Sequence, residues 1–297
     1  MRRSKAPWIL LSPFLILFLF TMVIPIIIAI GQSFMTVRRE GLLGEKGVSA
    51  QFAGLDNYIA ALSNENFIAS IWRMLLFGVV QVTVMIVAAT VLALLLESAA
   101  AKWPGFFRSA YFLPYGIPGV IATILWSFLY VPGLSPIVSA LDVVGIQVDF
   151  LSSANVLWAI ANIVTWTYTG YNMLIIIAQL KSIPGELYEA AKIDGAGAWR
   201  TVWSIQLPLI RPALMLTIIF SIIGTLQLFA EPRVLKAVST GITSEYTPNM
   251  SAYAYAFQYN DIGMASAEAV IIALAAFVLS AIALGISNRS QRGGRKG

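Results

Sequence analysis

Long apolar stretches, separated by short polar connections rich in Gly, Pro, Asn and Ser, run from residue 8 to residue 286. Crossing a bilayer's hydrocarbon core takes about 20 helical residues. Six segments approach that length: Trp8–Gln32, Ile71–Leu96, Arg108–Tyr130, Asn155–Leu180, Pro212–Ala230 and Gly263–Ile286. The pattern predicts an all-α integral membrane protein with six transmembrane helices, forming one domain over residues 1–297. Pro114 and Pro118 fall inside the third segment and predict a kink there, because a proline removes one helical hydrogen bond and clashes with the preceding turn. The first segment follows a basic start. It is too long for the apolar region of a cleaved leader and lacks a small-residue cleavage site, so it reads as a retained span.

Composition agrees. The chain is 59% hydrophobic and 11% charged, with a mean hydropathy of +0.81, whereas a soluble domain is about a quarter charged. It holds no Cys and no His, which removes disulfides, thiolate nucleophiles, His-based triads and most zinc sites. No GxxxxGK[ST] loop occurs, so the chain lacks the usual phosphate cradle for ATP. The formal charge of +5 follows topology. Thirteen basic residues fall on the side of both termini and six on the other. That bias places both termini in the cytoplasm and directs the excess charge to anionic headgroups, with no nucleic-acid partner.

The connection between the fourth and fifth segments, about residues 181–212, carries a distinctive pattern. Ser182 and Pro184 are placed to open a short helix. Glu186 and Glu189 lie near its positive end and Lys192 near its negative end. Gly195 and Gly197 are placed to end it. Leu187, Ala190, Ala191 and Asp194 share one face by helical spacing. Alanines there let a neighbouring surface approach the backbone closely. A second helix is expected near Ala198–Ile205, with Pro208 and Pro212 turning the chain back into the membrane. On spacing alone, an amphipathic helix lying on headgroups fits as well.

Glu189-Ala190-Ala191, Gly195 and Ile205-x-Leu207-Pro208, at their observed spacings, resemble the EAA loop of ABC importer permeases. The surrounding Glu-Leu-Tyr-Glu-Ala-Ala-Lys-Ile-Asp-Gly-Ala resembles the carbohydrate branch, similar to the larger maltose permease subunit and to the glycerol-3-phosphate permease. Ser12-Pro13-Phe14, Ile24-Pro25, Ser33-Phe34 and Gly54-Leu55-Asp56-Asn57-Tyr58 extend the likeness over nearly the whole chain. The resemblance implies a type I ABC importer transmembrane domain whose loop docks on a cytoplasmic ATPase through Glu189, Ala190, Ala191, Asp194, Gly195 and Ala196. It also implies a second homologous permease, a dimer of ATPase subunits and an extracytoplasmic substrate-binding protein as partners. No cofactor is expected on this chain; ATP and Mg²⁺ belong to the ATPase. The permease is then not itself an enzyme, and it resides in the cell membrane.

The fourth segment is rich in polar groups for a span, and such groups usually face a bundle interior or cavity. Trp158, Asn162, Thr165, Thr169 and Asn172 form one stripe; Ala161, Val164, Tyr168 and Tyr171 form another. Amides, hydroxyls and aromatic rings suit a sugar, whose C–H face stacks on rings and whose hydroxyls take hydrogen bonds. No mid-span Arg or Lys is present to hold a fixed negative charge. The resemblance implies cargo contacts at Val164, Tyr168, Tyr171, Ile223, Gly224 and Gln227. Val164 and Gly224 stand where the maltose pattern has asparagines, so the cargo need not be maltose. Glycerol-3-phosphate or another polyol derivative is the alternative. Tyr130 and Trp158 are expected as interface anchors, and Glu97 and Glu268 near span ends. An ion-coupled carrier would need mid-span carboxylates and inverted repeats. A membrane enzyme would need a nucleophile–base cluster. Neither pattern is seen in the sequence.

Overall fold

The computed structural model of the chain describes residues 6–39, 48–98 and 100–293. Arg2, Arg3, Lys5, Lys46, Arg295 and Lys296, which contribute to the charge bias, lie outside the described residues. The first span is α1 (Ala6–Phe18) and α2 (Ile24–Ser33), joined by a π-helical turn at Leu19–Val23. The turn falls just ahead of Pro25, which has no N–H for the carbonyl four residues back. No part of this span's apolar stretch is buried within the chain, so lipid or another protein must cover it.

The connection that follows holds a feature the hydropathy pattern does not reveal. It is an antiparallel hairpin of β1 (Met35–Arg39) and β2 (Val48–Phe52), with Met35 opposite Phe52. After α3 (Asp56–Ser63) comes α4 (Glu65–Leu96), which starts six residues before the expected Ile71. Asn64 sets that start: its side chain accepts from the N–H groups of Asn66 at 2.9 Å and Phe67 at 3.3 Å.

The third expected span is a broken pair, not one kinked helix. α5 (Pro104–Phe112) runs into a 3₁₀ turn at Leu113–Gly116, and α6 (Gly119–Tyr130) leaves at 96°. Pro118 pushes Ile117 out of the helical region to φ −86°, ψ 127°. Pro114 cannot donate within the tight turn. α7 (Pro136–Val143) lies in the next connection, before α8 (Val156–Lys181).

The predicted loop helix is α9 (Gly185–Ile193), followed by α10 (Ala198–Thr201), a π-helical turn at Val202–Gln206, α11 (Leu207–Leu209) and α12 (Arg211–Leu226). The chain then breaks at Gln227–Phe229 and resumes as α13 (Ala230–Leu235), α14 (Pro248–Phe257) and α15 (Ile262–Gly293).

Among the described residues four helical paths are long and apolar enough to cross a membrane, or five with the bent pair. The sixth expected span is α8. Its 26 residues reach about 39 Å at 1.5 Å per residue, and only its polar composition sets it apart. Six spans are therefore compatible with the fold. α8 is the central element and packs against α4, α5, α6 and α12. At one end Phe77, Ile160, Ile163, Leu226, Leu235 and Met250 form a core. At the other, Ala89, Ala93, Met173, Ile176, Ile177, Leu180 and Ile210 form a second. Gly170 lets α5 touch α8: a Cβ there would sit 1.9 Å from the Tyr111 carbonyl oxygen.

Candidate functional site

Between the two cores lies a cavity of about 420 Å³, walled by α4, α8, α12, the break after α12 and α13. α4 contributes Phe77, Gln81 and Met85; α8 contributes Val164, Tyr168, Tyr171 and Asn172; α12 contributes Phe220, Ser221, Gly224 and Thr225. Gln227, Leu228, Phe229, Ala230 and Glu231 close the end where α12 stops. Ending α12 inside the bundle frees backbone groups and admits a polar side chain where a continuous helix would present an apolar wall.

Five of the six positions inferred for cargo contact (Val164, Tyr168, Tyr171, Gly224 and Gln227) line this cavity. Ile223 is not among the lining residues; one position away from Gly224, it points about 100° around the helix. Of the two stripes on α8, the one with Val164, Tyr168 and Tyr171 faces the space, joined by Asn172 from the other. Phe77, Gln81, Met85, Phe220, Ser221 and Glu231 were not singled out from the sequence. Their helices read as apolar runs in which the polar positions Gln81 and Ser221 were passed over or, for Glu231, as an external loop.

The polar groups are held by internal partners that leave capacity for a ligand. Buried Gln81 donates toward Thr165 Oγ1 at 3.4 Å, and buried Asn172 donates to the Tyr168 carbonyl at 3.0 Å. The ring of Tyr171 stacks on Tyr115 with centroids 4.6 Å apart, and Tyr168 meets the same ring edge-on at 5.8 Å. Tyr115 belongs to the 3₁₀ turn of the broken span. The aromatic wall is thus fixed by the break itself.

Outside the cavity Tyr130 needs correction, Glu268 proves buried, and Glu97 stands at the end of α4 as expected. Tyr130 is buried, donating to the Ala159 carbonyl at 3.1 Å and accepting from Asn162 Nδ2 at 2.9 Å, so it is a core residue and no interface anchor. Glu268 is fully buried and accepts from Ser251 Oγ at 3.0 Å; packing of α14 over the start of α15 covers it. Glu97 pairs with Arg108.

At the opposite end, α9 is exposed along Glu186, Leu187, Glu189, Ala190, Ile193 and Asp194. Ala191 departs from the expected shared face: it is buried, while Leu187, Ala190 and Asp194 are exposed. Residues 190 and 191 are 100° apart on a helix, which suffices to separate them. Ser182 does not cap α9. Its hydroxyl donates to the Gln179 carbonyl at the end of α8, and Pro184 occupies the cap position. Gly195 does end the helix, at φ +72°. Its N–H reaches the Lys192 carbonyl at 3.1 Å and that of Ala196 reaches the Ala191 carbonyl at 2.8 Å, the paired bonds of a Schellman motif. Gly197 lies outside the helix at φ −72° and precedes α10.

Residues 58–292 match the family described as binding-protein-dependent transport system inner membrane component. The chain belongs to that family, the membrane permeases of ABC importers. It is 31% identical to the lactose transport system permease protein LacF of Rhizobium radiobacter, over 92% of this chain and 91% of that protein. It is 30% identical to the sn-glycerol-3-phosphate transport system permease protein UgpA of Agrobacterium fabrum, over 93% and 92%. A solved bacterial ABC transporter involved in the import of the acidic polysaccharide alginate superposes with a TM-score of 0.80 at 22% identity, over 96% of both chains. The same fold occurs in that transporter's complex with an alginate-pentasaccharide-bound periplasmic protein, with a TM-score of 0.81. The protein is thus a membrane-embedded transport permease with the type I importer fold.

Proposed function

We propose that the chain is one half of the translocation pathway of an ATP-driven importer for a carbohydrate or related polyol, and that the cavity between its two cores is where cargo passes. The observation that carries this is the chemistry of that space. Two tyrosine rings form one wall, and Gln81, Asn172 and Gln227 bring amides to the rest. At about 420 Å³ it has the size of ordinary small-ligand sites. Relatives named for lactose and arabino-oligosaccharide transport, of Rhizobium radiobacter and Bacillus subtilis, support the sugar class.

In this reading a second homologous permease supplies the facing wall, and a binding protein delivers cargo at the α13 end. An ATPase dimer docks on α9 through Glu189, Ala190, Asp194, Gly195 and Ala196, with Ala191 buried on the side of the helix away from the dimer. ATP and Mg²⁺ stay on that dimer. Both termini lie in the cytoplasm, and residues 1–297 act as one domain. Moving a two-state pathway from 1:99 to 99:1 takes about 5.5 kcal/mol of differential binding, so the dock must be a well-fitted contact. Glycerol-3-phosphate is the second reading, consistent with the UgpA relative.

The test is sugar uptake by proteoliposomes carrying the permease pair and ATPase, with the binding protein added. Uptake should require ATP and survive collapse of ion gradients. Uptake that persists without ATP and follows an ion gradient would overturn the proposal.

A further inference from the structure

We infer that Glu231 is a charge filter: the cavity admits neutral or amine-bearing solutes and disfavours those carrying a carboxylate or phosphate. The inference rests on the cavity being the cargo path and adds the charge class of that cargo.

Glu231 lies at the first turn of α13, just past the break that ends α12, and is the sole Asp, Glu, Lys or Arg among the residues lining the cavity. Its neighbours there are neutral: Tyr168, Tyr171, Gln227 and Ser221. The cations on the same segment are engaged elsewhere. The Arg233 guanidinium sits 4.7 Å over the Tyr253 ring, and Lys236 Nζ donates to Ser244 Oγ at 2.8 Å. Among the described residues the one ion pair is Arg108–Glu97, at another place in the fold. Glu231 therefore presents its carboxyl group to the cavity without a cationic partner.

The fold supplies a local reason for tolerating it. Glu231 Oε1 lies 3.5 Å from where a Cβ on Gly119 would stand. Gly119 is the first residue of the 12-residue α6, whose free N–H groups and dipole favour a carboxylate. The 96° break of the third span is what aims that helix end at α13. A partial helix charge nearby favours the carboxylate without cancelling its field. A like charge a few ångströms away in a partly wet cavity is disfavoured by about tenfold or more.

The chain contains no cysteine, so Ser221→Cys puts a unique, nearly isosteric thiol on the cavity wall. The permease pair and ATPase, the partners made cysteine-free, would be treated with size-matched methanethiosulfonate reagents bearing either a trimethylammonium or a sulfonate group. Rates are normalised to a small free thiol. The cationic reagent should react about tenfold or more faster, relative to that reference. Glu231→Gln should bring the ratio to within about threefold of the reference, and Glu231→Asp should retain the preference. A purely structural role would lower both rates or assembly together and leave the ratio unchanged.

Equal normalised rates with Glu231 present would overturn the filter while leaving the pathway reading intact, and this arm needs no Glu231 variant to fold. Failure of both reagents to reach the Ser221→Cys thiol would remove the pathway reading and the filter with it. A cargo of the assembled importer found to carry a carboxylate or phosphate would also overturn the filter.

Discussion

Gly195 offers the sharpest test of the docking loop, because its role depends on backbone shape. At φ +72° it sits in the left-handed region, where an L side chain costs roughly 1 kcal/mol for Ala and nearer 2 kcal/mol for β-branched Val, with Asn the best tolerated. Nothing lies within 4 Å of a Cβ placed there, so the chain itself adds no clash. A factor of ten corresponds to 1.4 kcal/mol. The Schellman-closed loop should therefore lose about fivefold in relative population with Ala and about thirtyfold with Val. Asn should lose the least.

The assay is cargo moved per ATP hydrolysed in proteoliposomes, with permease insertion checked by protease protection. Coupling should fall in the order Gly, Asn, Ala, Val while basal hydrolysis by the ATPase persists. Side-chain volume runs differently, since Asn is larger than Ala. If Asn uncouples as fully as Val, crowding against the ATPase is the cause and the backbone argument fails. If all four match within twofold, the helix end is not needed for coupling.

Four further outcomes follow from the geometry. Gly170→Ala should abolish stable assembly, seen as loss of the monodisperse complex in size-exclusion chromatography, because its Cβ would lie 1.9 Å from the Tyr111 oxygen and 2.9 Å from the Phe112 Cα. Gly224→Ala has nothing within 4 Å and should leave the melting temperature unchanged or raised, in line with the helix preference for Ala of about 0.5–1 kcal/mol. Tyr171→Ala removes a wall of the cavity and should raise the half-saturating cargo concentration by more than tenfold, whereas Ile223→Val should not move it. Breaking the partly exposed Arg108–Glu97 pair with Arg108→Gln should cost no more than about 1 kcal/mol, read as a small shift in thermal unfolding.

What could be read from the residues alone follows the range of each signal. Hydrophobic runs are local, so the spans and the loop helix are visible from the chain. The glycine that ends α9 is likewise visible, because positive φ and Gly go together. Contacts between helices are not local. In α4 the mid-span amide of Gln81 was a visible signal that went unused, whereas nothing apolar marks Phe77 and Met85 as the ones that turn toward α8. Glu231 was hidden by the stop at Gln227–Phe229, where no Pro or Gly punctuates the sequence. Prolines announced an irregularity in the third span, but its 96° angle depends on Ile117 becoming extended between two prolines and on Tyr115 packing against Tyr168 and Tyr171. Tyr130 looked like an interface anchor because an aromatic at a span end usually is one; only α8's packing showed it inside.

The two helix breaks and the two cores together suggest where motion would be taken up. Tyr188 of α9 packs on the core built from Ile176, Ile177 and Leu180 of α8 and Ile210 beside α12, and Gln206 Nε2 reaches its hydroxyl at 3.4 Å. A push on α9 would therefore carry the bases of α8 and α12 with it, since close-packed side chains transmit displacement instead of absorbing it. Asn172 and Met85, at the edge of the cavity, lie one turn above that core. The other end of the cavity is different in kind. Gln227–Phe229 and Leu113–Pro118 have left the helical ladder, so a few φ/ψ changes there cost far less than bending an intact helix. Stiffness at the α9 end and compliance at the α13 end would convert displacement of α9 into a change in the cavity's upper wall, which Tyr168, Tyr171 and Glu231 line.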